Sequence, residues 1–303
     1  MNNQPQTSVV IPTYKRPHLI GRALQSVLNQ TYQNFEIVII DSSIDNETEK
    51  VVKGFSEERI KYIHNKKRTI SSVARNQGVR ESNQNSKYIA FLDDDDEFLP
   101  RFLEKVVRIL EEKKDIAMAT SDLELRTRDG RRIRESHGST NFWEQGISCG
   151  CVIRKEIFVK KNIWHDERLE IMEDWDLGVR VLKNHKWECF PEVLWIYYVY
   201  PSSRKEITLC SVPETRSMEL FCEKNYPIFQ QSGKRALGFL HYKIGKIFLR
   251  AKEVKKGRKN ILKAFLIYPN FEYLLHYFLS FFPVLFWSTR LRFWKQKIFR
   301  GKL

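Results

Sequence analysis

No Cys-x-x-Cys pair occurs in this chain, and its five cysteines (Cys149, Cys151, Cys189, Cys210 and Cys222) are scattered and odd in number. That pattern argues against a zinc cage and a disulfide framework, and makes a reducing cytosol the simplest setting. The opening stretch, MNNQPQTSVVIP, lacks the charged head and apolar run of a signal peptide. No apolar run reaches the ~20 residues of a spanning helix. The 15-residue stretch 273–287 is interrupted by His276 and Pro283. Glycine is scarce, 13 residues in 303, and none lies in IPTYKRPH after the first apolar strand. A glycine-rich phosphate cradle, which a nucleotidyltransferase usually needs there, is therefore missing. There is also no internal repeat and no low-complexity linker.

What is present is an ordinary hydrophobic content of 42% and enough length for one large or two modest domains. The net charge of +15 is uneven. Residues 250–303 hold 13 Lys and Arg against two Glu, a net +11, which leaves +4 for the first 249 residues. Such a tail suits an anionic surface, and after the stretch 273–287 the basic residues Arg290, Arg292, Lys295, Lys297, Arg300 and Lys302 follow. The pattern fits an amphipathic segment lying on an anionic membrane, or equally a helical bundle with a solvated basic face.

Through the first 92 residues, strand and helix patterns alternate. Residues 8–11, 35–40, 60–63 and 88–92 read as strands. Residues from Pro17, then 46–55 and 71–81, read as helices. This is the signature of βαβ units around a mostly parallel sheet, in which ligands bind outside the carboxyl ends of the strands. Here those ends carry Thr13-Tyr14, Asp41, Asn65 and a run of four carboxylates, Asp93 to Asp96. A helix is expected over 100–113, with Pro100 in its first turn and Asp96 as its cap. Asp129-Gly130 marks a hairpin, 147–153 and 187–200 supply further strands, and Glu173-Asp174 opens another helix. Beyond Pro201 the chain reads as helix, with a helix hairpin about Pro269-Asn270.

Four adjacent carboxylates after a buried strand repel one another unless a cation or hydrogen-bond donors compensate them. A hard divalent cation that keeps several waters and shares a carboxylate with a bound phosphate meets that need. Asp41 can read a base edge or can simply form the turn in Asp-Ser-Ser. Arg75, in Ala-Arg-Asn-Gln-Gly, can pair with phosphate, orient a carboxylate, or be a solvated helical arginine. Asp174 sits where free helix N–H groups keep a carboxylate ionised, as a general base requires, or it caps the helix.

VVIPTY, the Asp-Ser-Ser after the second strand, ARNQG, YIAFLDDDDEFLP and MEDWDL occur in one order, over roughly residues 7–203. Together they resemble the family 2 glycosyltransferases of the GT-A fold. The resemblance implies an α/β fold with a Rossmann-like sheet flanked by helices and a C-terminal helical extension. The catalytic domain would be 1–203 and the helical basic region 204–303. Pro12, Thr13, Tyr14, Asp41 and Asn65 would form the nucleotide pocket, with Arg75 near the diphosphate. Asp93 and Asp94 would face ribose and donor, and Asp95 would bind a divalent cation, Mn²⁺ or Mg²⁺. Asp174 would be the base of an inverting transfer, with Glu173 and Trp175 on the acceptor side.

The expected donor is a UDP-linked sugar. The expected acceptor is a glycan or a lipid-linked species in cell-surface polysaccharide or glycoconjugate synthesis. The expected location is the cytoplasm, peripheral on the inner membrane face through 250–303. His165 and Met172 depart from residues frequent in the family, and no His lies between Lys186 and Leu240 to add a metal ligand. Cys149 and Cys151 read as packing residues, and His137 and Trp143 fall in an acceptor-side loop. Two other readings are a metal-dependent nucleotidyltransferase and a non-enzymatic basic module for membrane or nucleic acid. The second leaves the aspartates and MEDWDL without a role, so nucleic acid is not an expected partner.

Overall fold

The computed structural model describes residues 6–136, 141–144, 146–147, 149–199 and 214–281. Two compact units divide the chain, residues 1–211 and 212–303.

The first unit is α/β. Strands β1 (Thr7–Thr13), β2 (Phe35–Asp41), β3 (Ile60–His64) and β4 (Tyr88–Phe91) alternate with helices α1 (Pro17–Leu28), α2 (Glu47–Lys53) and α3 (Ser71–Glu81). Next come the two-residue β5 (Glu97–Phe98), α4 (Phe102–Glu112), β6 (Ile116–Thr127), β7 (Arg132–Ser136) and β8 (Cys151–Arg154). Helices α5 (Glu156–Val159) and α6 (Glu173–Leu182) then lead to the long strand β9 (Lys186–Val199). The sheet runs β3-β2-β1-β4-β8-β6-β9-β5, with β7 paired to β6. β1 to β4 are mutually parallel and β8 is antiparallel to its neighbours, so a parallel Rossmann-like half continues into a mixed half.

The period-2 alternation of strand side chains places a core on each face. Val9, Ile11, Ile37, Ile39 and Ala90 pack beneath α1 and α4, while Val10, Val38, Ile40, Ile89 and Phe91 pack beneath α3 and α6. Helix α4 buries Phe102, Leu103, Val106, Val107 and Leu110, spaced to fall on one stripe. Each such side chain contributes roughly 1.5–3 kcal/mol of transfer free energy. Helix α3 approaches β1 through Gly78, where a Cβ would stand 2.3 Å from Val10 Cγ1. Pro12 is tolerated in β1 because β4 pairs that strand only as far as Val10↔Phe91.

Two expectations change at the acidic run. Helix α4 begins at Phe102, beyond Pro100, and Asp96 does not cap it. Instead Asp96 Oδ1 accepts the backbone N–H of Tyr198 at 2.9 Å, so this carboxylate fastens β9. The hairpin about Asp129-Gly130 forms as β6–β7, with Gly130 at φ 84° as its turn demands.

The second unit contains α7 (Glu214–Gln231), α8 (Lys234–Arg250), α9 (Val254–Ile267) and α10 (Phe271–Leu279). The expected break at Pro269-Asn270 separates the last two, and Asn270 Oδ1 caps α10 by accepting the N–H of Glu272. Helices α8 and α9 cross where Gly245 faces Gly257, because a Cβ on Gly245 would lie 2.9 Å from the Gly257 carbonyl oxygen. Tyr242 stacks on Tyr273 at 4.5 Å and on His276 at 5.2 Å. Among the described residues, no helix is long and apolar enough to cross a membrane. Of the basic segment 250–303, residues 282–303 lie outside the described residues, as does His137.

Candidate active site

A cleft of about 430 Å³ opens at the carboxyl ends of β1 and β4, where the strand order of the sheet reverses. Pro12, Thr13 and Tyr14 border it from the end of β1, with Ser42, Arg68 and Thr69 beside them. Arg75 comes from α3, Asp93 to Asp95 from the turn after β4, Glu173 and Asp174 from the start of α6, and Trp195 and Tyr197 from β9.

The acidic run is held by three arginines and a threonine. Thr13 Oγ1 donates to Asp94 Oδ2 at 2.7 Å. Arg16 Nη1 donates to Asp94 Oδ1 at 2.9 Å and to Asp95 Oδ2 at 3.1 Å. Arg22 Nη2 donates to the Asp95 carbonyl at 2.6 Å. Arg75 is buried and forked, with Nη2 on Asp93 Oδ1 at 2.7 Å and Nη1 on Glu173 Oε1 at 2.5 Å. The guanidinium stays charged although burial opposes it, because both carboxylates hold it so.

Positive charge still falls short. Burial, then the charges of Asp94 and Asp93, push Asp95 up to about 7 despite Arg16. Burial also raises Asp94, and lifts Asp96 well above the usual carboxylate range with Asp93 and Asp95 adding to it. Four carboxylates so placed do not all ionise without a further cation.

The donor set fits a hard divalent ion on the cleft side. Asp93 and Asp95 are half-buried and border the cleft, whereas Asp94 and Asp96 are buried. Among the described residues, the ligand atoms close enough together to hold an ion are those of Asp93, Asp96 and Cys149, and this cluster includes a thiol that burial keeps protonated. A neutral thiol is a poor partner for Mg²⁺ or Mn²⁺, so an ion here would draw on carboxylate oxygens, and those of Asp93 and Asp95 border the cleft.

Glu173 and Asp174 open α6 after Met172, which takes the left-handed conformation with φ 66° and offers no side-chain cap. Asp174 is therefore inside the first turn and does not cap the helix. Its carbonyl accepts the Ile147 N–H at 2.9 Å, and its carboxylate lies against Gly146, where a Cβ would come within 2.7 Å of Oδ2. Burial lifts Glu173 to about 7, against the pull of Arg75.

Three of the expected site residues do not border the cleft. Asp41 is buried, accepting the Ser43 N–H at 2.8 Å and the Tyr62 hydroxyl at 2.5 Å. Burial and this bond to Asp41 raise the Tyr62 hydroxyl above its usual range. Asn65 exchanges amide hydrogen bonds with Gln77, both at 2.9 Å. Trp175 is buried, and its indole N–H donates to the Trp143 carbonyl at 2.6 Å. Conversely, Arg16, Arg22, Gly146, Trp195 and Tyr197 join the site without having been expected. Arg16 alone left a trace, as a basic residue just past a strand end.

A second, larger groove of about 790 Å³ lies at the opposite end of β4, lined by Arg80, Lys87, Arg154 and Lys155 among others. Two of its cations are committed to the fold: half-buried Arg154 donates to the Ile116 carbonyl at 2.7 Å and buried Lys155 to the Asn83 carbonyl at 2.8 Å.

Known proteins resemble this chain in sequence and in fold. A Rickettsia bellii glycosyltransferase of uncharacterised role is 40% identical over 117 residues, 38% of this chain and 16% of its own length. The Escherichia coli UDP-Glc:alpha-D-GlcNAc-diphosphoundecaprenol beta-1,3-glucosyltransferase WfgD is 33% identical over 103 residues, 34% of this chain and 40% of its own. The chain thus spans less than half the length of either relative. Residues 1–349 of Staphylococcus aureus TarS, solved with UDP-GlcNAc, superpose with a TM-score of 0.65 at 15% identity, covering 87% of this chain and 82% of that one. The Pyrobaculum calidifontis mannosyltransferase PcManGT, solved with GDP-Man and Mn²⁺, gives 0.59 at 14%, covering 97% and 84%. These likenesses place the fold among the GT-A glycosyltransferases. Residues 8–158 match the family model for glycosyl transferase family 2, and through them this chain belongs to that family.

Proposed function

We propose that this enzyme transfers a sugar from a nucleotide-diphosphate donor, UDP-linked, to a hydroxyl of a glycan or lipid-linked acceptor, with inversion. The observation that carries the reading is convergence: Asp93–Asp95 and Glu173–Asp174, about eighty positions apart in the chain, border one cleft and are joined by Arg75.

The nucleotide lies along Pro12, Thr13 and Tyr14, with Asp41 and Asn65 behind this wall. Asp41 reaches the base once the Tyr62 hydroxyl yields. Asp94 is oriented by Thr13 and Arg16 toward the donor. Asp95, with Asp93, would hold a divalent cation, Mn²⁺ or Mg²⁺, which when bound neutralises charge on the departing diphosphate. Asp174 accepts the proton of the acceptor hydroxyl while that oxygen bonds to the anomeric carbon. The bond from that carbon to the diphosphate oxygen breaks, its electron pair leaves with the nucleotide diphosphate, and the anomeric centre inverts. Glu173 stands behind Asp174 and, through Arg75, keeps the base helix in register with Asp93. Trp175 acts at one remove, holding the Trp143 segment against α6.

Residues 1–203 make the catalytic domain on this reading, and 204–303 a basic helical region that meets an anionic membrane at its cytoplasmic face. Leu266, Phe271, Phe278 and Phe281 are exposed there, and Arg258 of α9 lies over the Phe281 ring at 3.9 Å. A diphosphoundecaprenol-linked acceptor, such as the one named for WfgD, would put the reaction at that surface. The pathway is the building of a cell-surface polysaccharide or glycoconjugate. The test is a screen of nucleotide sugars with Mn²⁺, following nucleotide diphosphate release. Acceptor-dependent release from one UDP-sugar is expected, and no release from any donor would overturn the reading.

A further inference from the structure

We infer that Tyr197, backed by Trp195, forms an aromatic platform that seats a pyranose ring of the acceptor. The inference rests on the transferase reading above and adds a subsite to it.

Along β9, alternate side chains face opposite ways, so Trp195 and Tyr197 share the cleft face while Tyr198 faces away. Tyr198 anchors the strand end. Its N–H binds Asp96 Oδ1 at 2.9 Å, its hydroxyl donates to Glu97 at 2.6 Å, and Arg22 stacks on its ring at 3.7 Å. The platform above this anchor is rigid. The indole N–H of Trp195 donates to the Ser121 carbonyl at 3.3 Å, and its ring lies on Gly150. Any Cβ at Gly150 would come within 2.2 Å of the indole, and this glycine also sits at φ 75°. Tyr197 stands edge-on to the indole, with centroids 6.3 Å apart and planes at 86°.

Tyr197 is nevertheless 42% exposed, and Trp195 only 7%. A large aromatic left open within a cleft lined by carboxylates has a stated use. Pyranose rings carry an apolar C–H face and a polar edge, so they stack on aromatic faces while their hydroxyls meet acids. The position separates acceptor from donor. β9 lies beyond β8 and β6 from β4, whereas the residues given to the nucleotide come from β1 and β2 on the other side. The acidic run stands between them. A ring seated on Tyr197 therefore enters from the side opposite the nucleotide.

The experiment uses the full chain and saturation-transfer NMR with a panel of methyl β-glycosides (gluco, galacto and N-acetylglucosamine), with UDP and Mn²⁺ present. UDP binding is measured separately by calorimetry. At least one glycoside should show saturation at its ring C–H protons, falling about fivefold in Tyr197→Ala and persisting in Tyr197→Phe. Gly150→Ala should also weaken it by displacing the indole. UDP affinity should be unchanged in all three. If UDP fails to bind the unaltered protein, the transferase reading falls. If UDP binds but no glycoside signal depends on Tyr197, the platform falls. If Tyr197→Ala instead weakens UDP-sugar binding relative to UDP, the ring belongs to the donor and the acceptor assignment is overturned.

Discussion

Arg75 and Glu173, ninety-eight positions apart, meet through Nη1 and Oε1 at 2.5 Å inside the protein, while the other arm of the same guanidinium holds Asp93. The fork makes one arginine the link between the acidic run and the helix that presents Asp174. Breaking a buried pair leaves an uncompensated charge, at roughly 3–5 kcal/mol. Arg75→Gln should therefore lower the denaturation midpoint as well as turnover. Arg75→Lys keeps the charge but cannot fork, so it should recover stability better than activity. Equal recovery of both would argue against a bridging role.

Asp174→Asn and Asp95→Asn should each reduce transfer by at least about a hundredfold while circular dichroism stays unchanged. The two should separate on metal. Manganese binding in the presence of UDP should weaken in Asp95→Asn and survive in Asp174→Asn. Near-normal turnover by either variant on the right substrates would remove it from the chemistry.

Gly78→Ala should destabilise the catalytic unit by about 1–3 kcal/mol, since a Cβ there would meet Val10 Cγ1 at 2.3 Å. Adding Val10→Ala makes room, so the double variant should lose less than the sum of the two changes. Additive losses in urea melts would mean that α3 does not rest on β1 through this contact.

The pH dependence should show two windows. Glu111 is held at about 2, first by Lys114 and then by the Tyr88 hydroxyl, so its contribution is present above the ordinary value of 4.5 and is lost as pH falls toward 2. Glu173 is raised to about 7 by burial, so the opposite sign applies. Its contribution is fullest below 4.5 and is lost as pH rises through 7. Cation-free protein should thus lose stability from pH 5 to 8, with Asp95, also raised to about 7, adding to the slope, and Glu173→Gln should make it shallower. Glu111→Gln should leave it alone and blunt the acid limb. Melting curves across pH, read for these two variants, decide the matter.

Period and punctuation made the first half of the fold legible. Helix α3 at Ser71–Glu81 and the start of α1 at Pro17 stand where apolar spacing and proline put them. The mixed half was less so. Residues 116–127 form one strand although register shifts at Ser121 and Asp122 interrupt the alternation, because they do not end the pairing. At the site, a run of four aspartates announces itself, but which atoms face the cleft depends on pairing across the sheet. Nothing near Asp96 in sequence points to Tyr198, and nothing near Asp41 points to the Tyr62 hydroxyl that covers it. Trp195 and Tyr197 looked like ordinary strand aromatics. Only the glycine opposite and the exposure of the tyrosine distinguish them.

The bond from Tyr198 to Asp96 spans 102 positions, and it sets an order of assembly. β5, two residues long, has β9 as its partner, so the turn carrying Asp93 to Asp96 has no fixed far side until the strand ending at Val199 is laid down. Loop-closure entropy must be met before so distant a contact gives anything back. The α1–α3 layer on β1 to β4 is built from local units, whereas the Asp96 anchor of the acidic turn waits for β9. A nascent chain ending near residue 158, where the family match stops, would carry all four aspartates and their arginines but lack the Tyr198 anchor, Glu173 and Asp174.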